Sequence, residues 1–128
     1  MDAITQVPAP TNEPVHDYAP HSPERTRLAA ALADLSSGVT EISQVIGGEH
    51  KPASGDAYEV VQPHRHASVI GRYASSTHSD VAAAIEASQA AAPGWRELSY
   101  DDRAAVFLRA ADLLSGPWRE KIAAATML

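Results

Sequence analysis

Thr77-His78-Ser79-Asp80-Val81-Ala82-Ala83-Ala84-Ile85-Glu86-Ala87-Ser88-Gln89-Ala90-Ala91-Ala92 is the stretch whose reading decides the fold. A hydroxyl residue three positions before an acid has capping-box spacing, with the Asp80 carboxylate standing in for the usual glutamate. Val81, Ala84, Ile85, Ser88 and Ala92 then share one helix face, and Pro93-Gly94 predicts the end of that helix. Ser99-Tyr100-Asp101-Asp102 repeats the start signal. Ala104, Phe107, Leu108, Ala111 and Leu114 form the stripe of a second helix, which closes at Ser115-Gly116. Pro117-Trp118 opens a third helix carrying Ile122 and Ala125, and no glycine, asparagine or proline stops the pattern before Leu128. That unbroken pattern leads to the expectation of a truncated chain.

Outward from this helical half, the chain turns strand-rich. Ile42 to Ile46 leads into Gly47-Gly48, where two glycines permit the positive φ of a tight hairpin. Tyr58-Glu59-Val60-Val61 and Val69-Ile70-Gly71-Arg72-Tyr73 read as two further strands. The loop His64-Arg65-His66 would join them as a second hairpin. A helix is expected over residues 23–36. Ser22-Pro23-Glu24 supplies a cap, a first-turn proline and an early acid, Leu28, Ala31, Leu32 and Leu35 share one face, and Gly38 follows as a terminator. Residues 1–21 carry Pro8, Pro10, Pro14 and Pro20, which favour an extended arm, either disordered or laid across another surface. On its own the chain is therefore α+β, mostly helical with short antiparallel hairpins.

Composition bounds what such a chain can do. Of 128 residues, 25 are alanine, whereas Leu, Ile, Val and Phe together number 24. Alanine suits close helix packing but buries little area, so the large side chains are few for a free-standing core. This points to a part of something larger. A net charge of −6, with no Lys/Arg cluster longer than a pair, argues against a surface that tracks nucleic-acid phosphates. The absence of cysteine excludes disulfides, thiolate zinc sites and a cysteine nucleophile within these residues. Met1-Asp2-Ala3-Ile4-Thr5 is acidic and lacks a basic leader, and no apolar run is long enough to span a bilayer; the expected location is cytoplasmic.

The candidates for chemistry are few. His64 and His66 would share a face if their loop were extended and could then chelate a metal. No third ligand stands at a diagnostic spacing and no carboxylate stands nearby to orient either ring, so a solvated hairpin loop is the favoured reading. His16, His21, His50 and His78 lie in polar or helix-start contexts. Asp101 and Asp102 could serve as an acid–base pair only in a cleft, and capping already accounts for them. Gly47-Gly48 matches neither phosphate-loop pattern, and Ser36-Ser37 and Ser75-Ser76 lack a nucleophile elbow. Trp95 and Trp118 are expected as anchors between helices. No catalytic, cofactor-binding or metal-ligating residue is assigned within the chain.

The order of segments nonetheless resembles the aldehyde dehydrogenase superfamily. The residues that carry the resemblance are Ile46-Gly47-Gly48-Glu49, Val60-Val61-Gln62-Pro63, Val69-Ile70-Gly71, Asp80-Val81 with Ile85-Glu86-Ala87, Trp95-Arg96, Arg103 and Leu108–Leu114. Asn12-Glu13-Pro14-Val15, Tyr18-Ala19-Pro20, Ser22-Pro23-Glu24-Arg25, Gln62-Pro63-His64, the run Ala110–Arg119 and the ending Ala-Ala-Ala-Thr-Met-Leu are similar to its 1-pyrroline-5-carboxylate dehydrogenase branch. The resemblance implies an α/β family fold with a Rossmann-like cofactor domain. Residues 22–128 would form the N-terminal, incomplete part of that domain, preceded by the arm at 1–21.

The implied activity is the NAD-dependent oxidation of L-glutamate γ-semialdehyde to L-glutamate in proline degradation. In that family a cysteine attacks the aldehyde, hydride passes to NAD, and a glutamate base helps hydrolyse the thioester. None of these residues carries over to a position in this chain, so the segment is expected to be inactive alone and to bind no cofactor by itself. Implied partners are the remainder of the dehydrogenase chain and the small semialdehyde substrate, in a homo-oligomer, without nucleic acid or membrane. The alternative is a small helical interaction module without catalysis, which should unfold cooperatively, whereas a segment of a larger fold should expose apolar helix faces.

Overall fold

In the computed structural model, residues 8, 9 and 11–128 are described. The reading of the leader at Met1–Thr5, and of Pro10, lies outside them. The elements run in the order α1 (Pro23–Ser36), β1 (Thr40–Ile42), β2 (Gln44–Ile46), β3 (Glu49–Lys51), β4 (Ala57–Gln62), β5 (Arg65–Ala74), α2 (His78–Glu97), α3 (Tyr100–Ser115) and α4 (Arg119–Met127). The chain divides into two compact units, one of residues 34–93 with 128 and the other of residues 1–33 with 94–127.

The first unit holds the strands and most of α2. Gly47 and Gly48 adopt φ of +61° and +85°, and they close β2 onto β3 in antiparallel register with Gln44 opposite Lys51 and Ile46 opposite Glu49. Glycine is needed at such a turn because other residues reach this backbone region only with strain. β4 and β5 form the second expected hairpin, with Tyr58 opposite Tyr73. Its loop is shorter than expected. Pro63-His64 alone makes the turn, and Arg65 and His66 already belong to β5. The reason is visible at its mouth: Gln62 pairs with Arg65, whose Nε and Nη2 donate to Gln62 Oε1 at 3.1 and 3.0 Å.

Two features differ from the local reading. Ile42 and Ile46 do not share one strand. The chain breaks at Ser43, β2 stays with β3, and β1 adds in parallel to β5, giving a three-stranded sheet in the order β1-β5-β4. Parallel pairing joins residues distant in sequence, so no spacing within residues 40–46 announces it. The other difference is the length of α2, which passes through Pro93 and Gly94 to Glu97. A proline inside a helix removes one backbone donor. Here Gln89, Pro93 and Gly94 are all exposed, so water is at hand for the carbonyl that loses its partner.

In the second unit α1 spans the expected 23–36. Thr26 donates its backbone N–H and hydroxyl to Ser22 O, and Arg25 N donates to Ser22 Oγ at 3.3 Å. α3 begins as read: Ser99 is the N-cap and accepts from Asp102 N at 3.1 Å, while its own hydroxyl donates to Asp102 Oδ2 at 2.8 Å. Gly116 closes α3 by donating to Asp112 O, and Gly116-Pro117-Trp118 form a turn, so α4 starts at Arg119. Trp95 meets Phe107 edge-on, with ring centroids 6.5 Å apart. In the described part of the arm, Pro14 O accepts from Arg119 at 2.7 Å and Tyr18 O from Arg25 at 3.4 Å, while Arg27 of α1 pairs with Glu120 of α4.

Burial is sparse in both units. Among the described residues, Ala124 is the one buried apolar side chain, whereas Val81, Ile85, Val106, Phe107, Leu114 and Trp118 are each more than half exposed. Rows across the three-stranded sheet separate its faces. Glu41, Arg72 and Glu59 lie in register on one side, and Ile42, Tyr73 and Tyr58 on the other. The two tyrosines stack at 5.4 Å, yet Tyr58 and Tyr73 remain 47% and 41% exposed. An apolar sheet face and the apolar stripe of α2 therefore stand without cover, a pattern expected of surfaces that meet further protein.

Candidate functional site

The most connected polar centre lies at the start of α2. The capping box forms as its spacing predicts: Thr77 N donates to Asp80 Oδ2 at 2.8 Å, and Asp80 N donates back to Thr77 Oγ1 at 3.4 Å. The carboxylate then gathers donors from outside the helix. Gln44 Nε2 of β2 reaches Oδ1 at 3.1 Å, and the loop before β4 sends Ser54 N to Oδ2 at 3.0 Å and Ser54 Oγ to Oδ1 at 2.9 Å. Thr77 Oγ1 completes the set at 2.9 Å. Asp80 is 8% exposed. A buried carboxylate with this many donors is held as an anion. The Thr77 backbone N–H, followed by the Ser54 backbone N–H and the Gln44 and Thr77 side chains, keeps its carboxyl far below the usual carboxylate range.

Asp80 thus stays ionised near neutral pH, and both its carboxylate oxygens accept from protein donors. It ties one helix, one hairpin and one loop together. That loop lies close against the segment before α2. Gly55 N donates to Ser75 O and Ser75 N to Asp56 O, and a Cβ on Gly55 would come within 2.5 Å of Ser75. Beside the knot, Val45 and Ile46 face Val81, Ala84 and Ile85 across an open groove of about 560 Å³.

The other candidates fall apart geometrically. His64 sits in the β4–β5 turn and His66 within β5, both exposed. Among the described residues, no group of three His, Cys, Asp or Glu side chains is placed to hold a metal. Asp101 and Asp102 lie in the first turn of α3, exposed, with Asp102 engaged by Ser99. His50 Nδ1 bonds Ser43 Oγ at 3.1 Å, and His16 packs edge-on against Tyr18. Ser37 Oγ donates to Asp34 O and Ser76 Oγ to Gln44 Oε1, both structural bonds. Trp95 reaches Phe107, while Trp118 is 53% exposed.

Local spacing did not reveal two residues. Gln44 and Ser54 join Asp80 from positions 36 and 26 residues away. Gln62 is wholly buried with its Nε2 unpartnered, and its adjacency to Pro63 was the single available signal.

Among the described residues, no helix start has the form that seats a dinucleotide pyrophosphate. Pyrophosphate sites use glycine-rich turns and open helix N-termini. Here the first turns of α1, α2, α3 and α4 carry Glu24, Asp80, Asp101 with Asp102, and Glu120. A phosphate would meet carboxylates at each.

Residues 50–128 match the aldehyde dehydrogenase family model, and the chain belongs to that family. Similar proteins narrow the likeness. The Delta-1-pyrroline-5-carboxylate dehydrogenase of Agaricus bisporus is 39% identical over 98% of this chain and 23% of its own length. The human mitochondrial Delta-1-pyrroline-5-carboxylate dehydrogenase is 40% identical over 91% of this chain and 21% of its own. The crystal structure of the Mycobacterium tuberculosis Delta-pyrroline-5-carboxylate dehydrogenase bound with NAD superposes with a TM-score of 0.94 at 62% identity, covering all of this chain and 24% of that one. The chain therefore spans about a quarter of the length of the relatives it matches.

Proposed function

We propose that this chain is the N-terminal segment of an NAD-dependent dehydrogenase that oxidises L-glutamate γ-semialdehyde, in equilibrium with 1-pyrroline-5-carboxylate, to L-glutamate. The observation that carries the reading is the 62% identity along the full chain to a Delta-pyrroline-5-carboxylate dehydrogenase of which it covers 24%. The exposed stripe of α2 and the aromatic face of the sheet fit this reading, because a self-sufficient helical module would bury them.

In this proposal residues 22–128 belong to the cofactor-binding domain, preceded by the N-terminal arm, while the reacting groups lie elsewhere in the enzyme. The chain holds no cysteine, so the nucleophile that attacks the aldehyde is not among its residues. NAD, which accepts the hydride when bound, would likewise be held outside this segment. The segment supplies scaffold: Asp80 fixes the start of α2 against the β2–β3 hairpin. We place the enzyme in the cytoplasm as a homo-oligomer. A bacterial relative at higher identity favours that compartment over the mitochondrial one named for the human relative.

The test is to express the whole reading frame that contains these codons and follow NADH formation with 1-pyrroline-5-carboxylate. Turnover by that product, and none by the 128-residue chain, is expected. Reduction of NAD with simple aliphatic aldehydes but not with 1-pyrroline-5-carboxylate would overturn the substrate assignment. Turnover by the 128-residue chain alone would overturn the division of labour.

A further inference from the structure

We draw no further inference here: the strongest candidate, the open apolar groove between the β2–β3 hairpin and α2 lined by Val45, Ile46, Val81, Ala84 and Ile85, carries nothing, because nothing in the structure shows what covers it.

Discussion

The starts of α2 and α3 are written in the same local code but do different work. Thr77-His78-Ser79-Asp80 and Ser99-Tyr100-Asp101-Asp102 both place a hydroxyl three residues before an aspartate, and in both the aspartate backbone N–H donates to that hydroxyl; Asp80 also accepts from the Thr77 backbone N–H and so closes a capping box, whereas Asp102 accepts from the Ser99 hydroxyl. Asp102 stops there and stays exposed. Asp80 is buried and draws Gln44 and Ser54 onto the same carboxylate. The lesson is that a cap motif fixes where a helix begins, whereas its surroundings decide whether the cap also becomes a tertiary joint.

The sharpest way to break this contrast is Asp80→Ala. It takes a buried acceptor away from the Thr77 and Ser54 backbone donors at a part-buried site, along with its bonds to Gln44 and the Ser54 and Thr77 hydroxyls. In the product of the whole reading frame the unfolding equilibrium should shift by on the order of a hundredfold, read from denaturant midpoints, with faster amide exchange at Ser54 and Thr77. Asp80 also sets an acid limit. Its folded pKa lies below the ordinary 3.8, so the unfolded chain binds the proton more readily and stability rises with pH across this range. The contribution is complete at neutral pH and is lost as pH falls through about 4 and below. Acid unfolding of the parent should show this loss, and Asp80→Ala should flatten it.

Gly55→Ala comes next. The added methyl would lie 2.5 Å from the oxygens of Ser75, so the loop that delivers Ser54 must move, at a cost of about 2 kcal/mol. A weaker Ser54 contact should also appear as faster exchange of its amide, without effect on α3. Ser99→Ala removes the cap of α3 and should cost about 1 kcal/mol, confined to exchange at the first turn of that helix. The smallest effect is expected for Arg72→Ala. Its pairing with Glu59 at 3.5 Å is open to water on both sides, so the change should stay within about 0.5 kcal/mol by denaturant titration.

Much of the fold was legible because its signals are local. α1, the capping box at Thr77–Asp80 and the Ser99 cap of α3 lie where hydroxyl, proline and acid spacing put them, and Gly47-Gly48 turns as two adjacent glycines should. The misreadings differ in origin: one comes from a partner distant in sequence, one from a short-range side-chain pairing and one from solvent exposure. β1 leaves the strand run to pair with β5, 31 residues away at Thr40–Gly71, and Gln62–Arg65 pairing shortens the second hairpin turn. Pro93 fails to stop α2 where the helix surface is exposed. The knot at Asp80 was half legible. Its cap was written in the spacing, while Gln44 and Ser54 carried no mark of their destination. The thin supply of large side chains foretold the uncovered faces, since 24 Leu, Ile, Val and Phe residues leave little to close a core.

The central claim is that the stripe of α2 and the aromatic face of the sheet are interior surfaces of a longer dehydrogenase. Hydrogen exchange measured on the 128-residue chain and on the product of the whole reading frame tests it most directly. The account predicts that amides around Val81–Ala92 exchange rapidly in the short chain and are strongly protected in the longer product. Equal protection in both, with cooperative unfolding of the 128-residue chain, would contradict it and identify a self-sufficient module.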